Sequence, residues 1–440
     1  MINIHNQDNV HKEILNQTLA TPYLLVEQSP PLDGEAQLLG AKNAVLVIMT
    51  SLILTKGVSV IKNVPASDDV LHMMQLLKDL GASVIFDKFT NVLEVDTRFL
   101  QNYNVSIEMM KKMRASVLVM GPLLARFGQA EIGFPGGDVI GARPIDYHIK
   151  NFEKMGVIVE QRGQVVHGHT REVKARNLLL EYPSVGATEN ILMFATLTPG
   201  TTRIINAAFE PEVFDLITVL KKMGARISVD VPATITITGV EQLYAVEHTI
   251  MYDRMEAAAL LVAGAITGGY VHIPQGPAHS MGMLLMKLQE MGHTILINPS
   301  GIGIKIKATK NPVAVSLKTG PYPGFATDMQ AYMVAALTLA QGISRVQETV
   351  WENRLMHTKE LAKMGAQIEI LHDTAIIRGV EQLYGTHVIA SDIRASCALV
   401  LAGLVASGRT TVSGVHHWKR GYQSLENKLK ALGGSINLCE

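Results

Sequence analysis

SDDVLHMMQLLKDLGASVIF, residues 67–86, is the stretch on which the reading of the fold turns. Ser67 suits a helix N-cap, and Asp68 and Asp69 fall in the first turn, where the positive end of the helix dipole favours acids. Val70, Met73, Met74, Leu77 and Leu80 recur at helical spacing. Gly81 stands where a left-handed residue closes a helix. Ser83-Val84-Ile85-Phe86 then reads as a strand. Upstream, Val58, Val60 and Val64 mark another strand, broken by Pro65.

The pattern recurs. Helix-ending glycines stand at Gly81, Gly156, Gly224, Gly292, Gly365 and Gly433, at spacings of 75, 68, 68, 73 and 68 residues. A period that regular is architecture. Each unit also holds a helix of a second kind, at residues 41–54, 113–124, 184–197, 254–266, 328–339 and 393–405. These are apolar and rich in small residues on nearly every face, so they must be buried on all sides. The expected fold is α/β, with six repeats. Each has one surface helix, one interior helix and strands between, and three repeats make a domain. Residues 1–20 lie outside the repeat and are expected to be disordered or loosely docked.

Lys+Arg and Asp+Glu both number 39, so the formal net charge is zero and no basic surface points to a nucleic-acid partner or an anionic membrane. The longest apolar stretches, 44–54 and 257–266, fall short of the ~18 residues that span a bilayer. The first residues carry no basic segment followed by an apolar run, so no secretory signal is expected. Cys397 and Cys439 form neither a disulfide framework nor a metal spacing, and Cys397 reads as a core thiol. A cytoplasmic protein without membrane insertion, metal or cofactor is expected.

Chemistry concentrates at the starts of the buried helices and in one loop. Lys42, Arg114 and Arg394 stand near helix N-termini, where a cation opposes the dipole and is worth keeping if it binds an anion together with the free N–H groups. With Arg143 and Arg420 they are candidates for one anionic pocket. The loop Phe134-Pro135-Gly136-Gly137-Asp138-Val139-Ile140-Gly141-Ala142-Arg143-Pro144 packs three glycines, two prolines, an acid and a cation into eleven residues. It reads as a shaped, mobile lid rather than a plain turn.

Several blocks resemble the UDP-N-acetylglucosamine 1-carboxyvinyltransferase family. They are Gly40-Ala41-Lys42-Asn43-Ala44, Met113-Arg114-Ala115-Ser116, residues 121–128 and 135–146, Ser184-Val185-Gly186-Ala187-Thr188, Tyr322-Pro323-Gly324-Phe325 with Thr327-Asp328-Met329-Gln330, Glu352-Asn353-Arg354 with Met356-His357, Arg394-Ala395-Ser396 and Arg420-Gly421-Tyr422. The resemblance runs in unbroken order from about residue 21 to 438. It implies the enolpyruvyl transferase fold, an inside-out α/β barrel of two domains with three βαβαββ units each. The implied division is 43–251 against 21–42 plus 252–440, with the active site in the cleft between. It also implies the first committed step of peptidoglycan synthesis. There, phosphoenolpyruvate gives its enolpyruvyl group to the 3-hydroxyl of UDP-N-acetylglucosamine and phosphate is released.

The family's roles carry over residue by residue. Lys42, Asn43, Arg143, Arg394 and Arg420 match the phosphoenolpyruvate site, and a phosphate plus a carboxylate does call for several fixed cations. Arg114, Arg143, Pro144, Ile145, Asp146, Tyr147, Ser184, Val185, Gly186, Asp328 and Val350 match the sugar-nucleotide site. Asp328 is the expected base, with a helix N-cap as its plainer role; Lys42 is counted with the catalytic residues. Asp138 stands where the family keeps its proton donor, usually a cysteine, and aspartate there implies resistance to fosfomycin, which alkylates that cysteine. The shikimate-pathway transferase shares fold and donor, but its blocks near the first lysine and first arginine differ from those here. The cysteine replacement also admits a non-catalytic UDP-sugar-binding paralogue.

Overall fold

The computed structural model describes residues 21–142 and 144–440, so the expectation for residues 1–20 falls outside the described residues. Two compact units emerge. One comprises residues 39–253 with Pro321–Gly324, and the other residues 21–38, Arg254–Gly320 and Phe325–Glu440. Each has its own aliphatic core.

Six four-stranded sheets among the described residues, three per unit, share one wiring. A short strand pairs parallel with a longer one, which pairs antiparallel with a third, which pairs antiparallel with a fourth. Three sheets form from neighbouring stretches. The others fetch a strand from far along the chain: Glu247–Thr249 joins Val58–Lys62, Asp33–Glu35 joins Tyr270–Pro277, and Tyr23–Glu27 sits between Arg409–Ser413 and Ile436–Cys439. Strands such as Tyr23–Glu27 and Thr234–Thr238 alternate buried and half-buried residues, as a sheet with one face on the core requires.

The apolar helices form the interior. Lys42–Ser51, Met120–Phe127 and Val185–Ala195 belong to one unit, and Arg254–Ile266, Thr327–Leu337 and Ile393–Gly403 to the other. Every residue of Ile393–Gly403 is buried, and every residue of Arg254–Ile266 but the last. The surface helix Asp68–Asp79 instead buries one stripe, Val70, Met73, Met74, Leu76 and Leu77. Each such side chain contributes about 1.5–3 kcal/mol through burial. The six helix-ending glycines all adopt φ between 95° and 107°, a conformation that costs other residues strain.

Two local expectations are corrected. Ser67 occupies the N-cap of its helix, but its side chain makes no cap bond. Residues 113–124 are not one α-helix: a 3₁₀ stretch Arg114–Val119 precedes the α-helix Met120–Phe127. Pro122 explains the break. It has no N–H to give, and its ring excludes the carbonyl four residues earlier, so regular α-helix cannot run through it. At the third position of a helix restarting at Met120, the missing N–H costs nothing.

Candidate active site

In the unit holding Asp328, two helix starts and a turn bring one carboxylate between two guanidiniums. Ala326 is the N-cap of Thr327–Leu337, so Asp328 lies in the first turn and is not the cap. Its Oδ1 accepts from Arg354 Nη2 at 2.7 Å, and its Oδ2 accepts from Arg394 Nη2 at 2.8 Å and Nε at 3.1 Å. Both arginines are only 4% exposed, so their charges are felt at close to full strength. Arg394 Nη1 donates to the hydroxyls of Tyr332 (3.1 Å) and Tyr422 (3.2 Å), which are 2.6 Å apart. Burial holds both hydroxyls above their ordinary pKa, so they remain neutral acceptors for the cation. The same surroundings push the Cys397 thiol up to about 12, and it is inert as a nucleophile.

Arg394 sits in the first turn of Ile393–Gly403, where the dipole opposes it. Asp392 offsets that: as N-cap, its Oδ1 accepts from the N–H of Arg394 (2.9 Å) and Ala395 (3.0 Å). Arg420, half-buried, lies on the helix Val415–Gly421, two residues before Tyr422. The N–H of Val350 donates to Glu348 Oε1 at 2.8 Å.

In the other unit, Lys42 opens the helix Lys42–Ser51. The preceding Gly40 is required by space: a Cβ there would stand 1.9 Å from the Asn63 carbonyl oxygen. The Ala41 N–H donates to Met251 O (2.8 Å), fixing where the helix begins. Lys42 is 7% exposed and its Nζ meets Asp69 Oδ2 at 3.1 Å. Removing Asp69 would leave the buried Lys42 charge without this partner, at about 3–5 kcal/mol. Asn43, next along the helix, is exposed.

The loop at 134–142 has no regular structure, yet its beginning is tied down. The Phe134 N–H donates to Gln164 O (3.2 Å) and that of Gly136 to Met110 O (3.0 Å). A Cβ on Gly136 would lie 1.9 Å from Lys111 O, so only glycine passes there. Gly137 follows at φ 109°. Asp138 comes next, half-buried, then Val139, which is 74% exposed. Arg143 falls outside the described residues.

Pro144, Ile145, Asp146 and Tyr147 lead into the helix Asp146–Lys154, and Arg114 Nη2 donates to Pro144 O at 3.0 Å. His148, the next residue, links this stretch to the helix Val185–Ala195. Asn190 Nδ2 donates to His148 Nδ1 (2.9 Å), while Asn190 Oδ1 accepts from the Gly121 N–H (2.7 Å). Burial pushes His148 down to about 3, with the Arg114 charge adding and Asp146 opposing, so the imidazole is neutral. A Cβ on Gly186 would approach the ring to 3.3 Å, so this glycine lets the helix start lie against it. Ser184 caps Val185–Ala195, its Oγ accepting from the Ala187 N–H at 3.4 Å.

The structure thus joins Asp328 to Arg394 and Arg114 to Pro144, and His148, next after the 144–147 stretch, lies against Gly186 and bonds Asn190. Lys42 is paired with Asp69, which sequence reasoning took only for a first-turn acid. Arg354 stands in a family motif and Asp392 at a polar helix start, neither with a role of its own from the sequence, and Glu348 and Tyr332 were missed. Arg354 reaches back 26 residues to Asp328 and Tyr332 meets Tyr422 90 residues on, bonds that no local pattern announces. Asp392 instead caps N–H groups two and three residues away, as an acid just before a helix can signal. Among the described residues no group of three or more His, Cys, Asp or Glu could hold a metal ion, and no helix is long and apolar enough to cross a membrane.

The family model described as EPSP synthase (3-phosphoshikimate 1-carboxyvinyltransferase) matches residues 26–429, and the chain belongs to that family. Within it, the chain is 45% identical to UDP-N-acetylglucosamine 1-carboxyvinyltransferase 1 of Caldanaerobacter subterraneus subsp. tengcongensis, across 94% of this chain and 98% of that one. It is 43% identical to the UDP-N-acetylglucosamine 1-carboxyvinyltransferase of Cellvibrio japonicus, again over 94% and 98%. Among solved structures, the enolpyruvyl transferase NikO of Streptomyces tendae matches with a TM-score of 0.86 at 23% identity, covering 95% of this chain and 98% of that one. EPSP synthase from Acinetobacter baumannii matches at 0.76 and 17%, covering 96% and 100%. The fold is therefore that of the enolpyruvyl transferases, as the sequence resemblance implied.

Proposed function

We propose that this chain transfers the enolpyruvyl group of phosphoenolpyruvate to the 3-hydroxyl of UDP-N-acetylglucosamine, releasing phosphate, as the first committed step of peptidoglycan synthesis. The observation that carries the reading is the Asp328 carboxylate held at a helix start between Arg354 and Arg394. It supplies an acceptor for the hydroxyl proton beside cations suited to the donor's anions. The name carried by relatives at 43–45% identity favours the UDP-sugar over 3-phosphoshikimate as acceptor.

In the proposed addition, the 3-oxygen attacks C2 of phosphoenolpyruvate while its proton passes to Asp328 and the methylene carbon takes a proton from Asp138. In the elimination, phosphate leaves with the electrons of its C–O bond and the methyl group returns a proton, restoring the double bond. Lys42, Asn43, Arg143, Arg394 and Arg420 take the donor's phosphate and carboxylate. Arg114, Arg143, Pro144–Tyr147, Ser184–Gly186, Asp328 and Val350 take the sugar nucleotide. Asp328 accepts a proton only after giving up part of its ion pairing, and the donor's anion competes for Arg394. Asp138 donates only as the neutral acid, a form that burial and a neighbouring phosphate favour. We place the activity in the cytoplasm, where phosphoenolpyruvate and nucleotide sugars are made.

The test is phosphate release by the purified chain given each substrate alone and both together. Release that needs both supports the transferase. No release from a folded protein that binds UDP-N-acetylglucosamine would instead favour the regulatory paralogue, to which the aspartate at 138 is the one pointer.

A further inference from the structure

Glu348 is absent from every role assigned so far, yet it is one of the best-connected carboxylates in its unit. It is 4% exposed. Oε1 accepts from Thr319 Oγ1 (2.9 Å), the Val350 N–H (2.8 Å) and the Trp351 N–H (3.2 Å), and Oε2 accepts from Thr327 Oγ1 (2.9 Å). A second tie joins the same strands of chain. The Thr349 N–H donates to Thr319 Oγ1 (2.9 Å), and Thr349 Oγ1 donates to Thr319 O (2.7 Å). Thr327 immediately precedes Asp328. Thr319 and Thr327 bracket residues 320–326, a segment closed at its base by the Gly320 N–H to Phe325 O bond (3.0 Å).

We propose that Glu348 is a positioning residue of the transfer reaction, fixing the start of the helix that carries Asp328 relative to the main chain at Val350. The assignment rests on the proposed transferase reading, in which Asp328 takes the proton and Val350 touches the sugar nucleotide. A lone carboxylate with four donors costs more to bury than an apolar side chain of the same shape, and it repays that cost only by holding its donors in one geometry. The donors here come from three places in the chain, two of them adjacent to residues of the candidate site. Misplacing a reacting group by even 1 Å costs rate heavily.

The two arms separate experimentally. Thr327→Val removes the bond beside Asp328 alone. Thr319→Val removes the bonds of Thr319 Oγ1 to Glu348 and from the Thr349 N–H, and so weakens the 349–350 side alone. Losing one hydrogen bond to a charged acceptor corresponds to about tenfold. Steady-state kinetics should show Thr327→Val lowering kcat about tenfold while KM for UDP-N-acetylglucosamine stays within about twofold, and Thr319→Val doing the reverse. Glu348→Ala should show both losses. Glu348→Gln should recover most of them, because its amide oxygen can take the two N–H groups while its NH₂ donates to Thr327 Oγ1. Equal losses of kcat and KM in all four variants, tracking their Tm, would reduce Glu348 to a fold-stabilising residue. Unchanged constants in Glu348→Ala would overturn the proposal outright. Wild-type protein run alongside keeps the two readings apart: if it releases no phosphate, the transferase reading fails. Calorimetric affinity for UDP-N-acetylglucosamine then still judges the Val350 arm, which stands if Thr319→Val and Glu348→Ala weaken binding and falls if they do not.

Discussion

Asp328 and Asp138 are both assigned proton transfer, and the chain holds them in opposite ways. Asp328 sits on a buried helix with both oxygens engaged by arginines, of which Arg394 is itself braced by two tyrosine hydroxyls and a capped helix start. Asp138 rides on a loop without regular structure, between a glycine at φ 109° and an exposed valine. The contrast fits the two tasks. A base that must meet a hydroxyl of fixed position gains from rigidity. A donor that protonates a carbon and later takes the proton back can be delivered by a segment that arrives with the substrates.

The largest expected effect falls on the loop side. Asp138→Ala should lose turnover by about 10³-fold or more, the upper range for a general acid. Asp138→Cys should keep turnover and gain time-dependent inactivation by fosfomycin, which the natural protein should resist because a carboxylate forms no thioether. Phosphate release after timed preincubation reads both. An active Asp138→Ala would remove the donor role, and inactivation of the natural protein by fosfomycin would place the drug's target elsewhere. Next comes Gly136→Ala. The Cβ would strike the Lys111 carbonyl, so the loop must leave its seat. Turnover should fall by about 10²-fold, the cost of a displacement near 1 Å. Thermal unfolding should barely change, since no core contact is lost. A parallel loss of Tm would show that the loop is part of the fold rather than an appendage to it.

Each region also buries a histidine, and acid should find both. Burial lowers His148, below Gly186, to about 3, and lowers His357 to about 4, where Arg354 adds to the effect and Asp392 opposes it. The unfolded chain protonates these rings near 6.5 while the folded one keeps them neutral. Their contribution is therefore complete above about pH 6.5 and drains away as pH falls towards 4, at about 1.4 kcal/mol per pH unit for each. Chemical denaturation between pH 7 and 5 should show this slope, and His357→Gln should flatten it by one histidine's share. A slope unchanged in the variant would mean that His357 titrates alike in both states.

The same contrast marks how far the sequence could be read. The six glycines at helix ends were legible because positive φ is written into residue type, and the interior helices because no face of them is polar. Sheet membership was not, since a three-residue strand such as Glu247–Thr249 finds Val60–Lys62 some 187 residues away by packing alone. The candidate site residues were named where the family motif carried them. What the motif could not supply was mutual geometry: that Asp69 takes Lys42 while Ser67 leaves its cap unmade, or that Arg354 reaches Asp328. Pro122 did announce the break at Met120, and weighing its missing N–H would have split residues 113–124 correctly.

The smallest expected effect compares the caps that hold the two regions' helix starts. Asp392 is 3% exposed and takes two N–H groups at 2.9 and 3.0 Å, whereas Ser184 takes one at 3.4 Å. Asp392 also stands between a helix dipole and the Arg394 charge, so its loss leaves a buried cation at a positive helix end. Asp392→Ala should therefore cost about 2 kcal/mol, the top of the range for lost caps, and Ser184→Ala about 0.5 kcal/mol. Urea unfolding of the two variants reads the difference. Ser184→Ala should act on affinity for the sugar nucleotide more than on stability, because a hydroxyl that spends so little on its own helix is available to a ligand at the helix start. Equal costs from both substitutions would mean that the two helix starts are equally dependent on their caps, and that the firmness of the Asp328 region comes from its ion pairs alone.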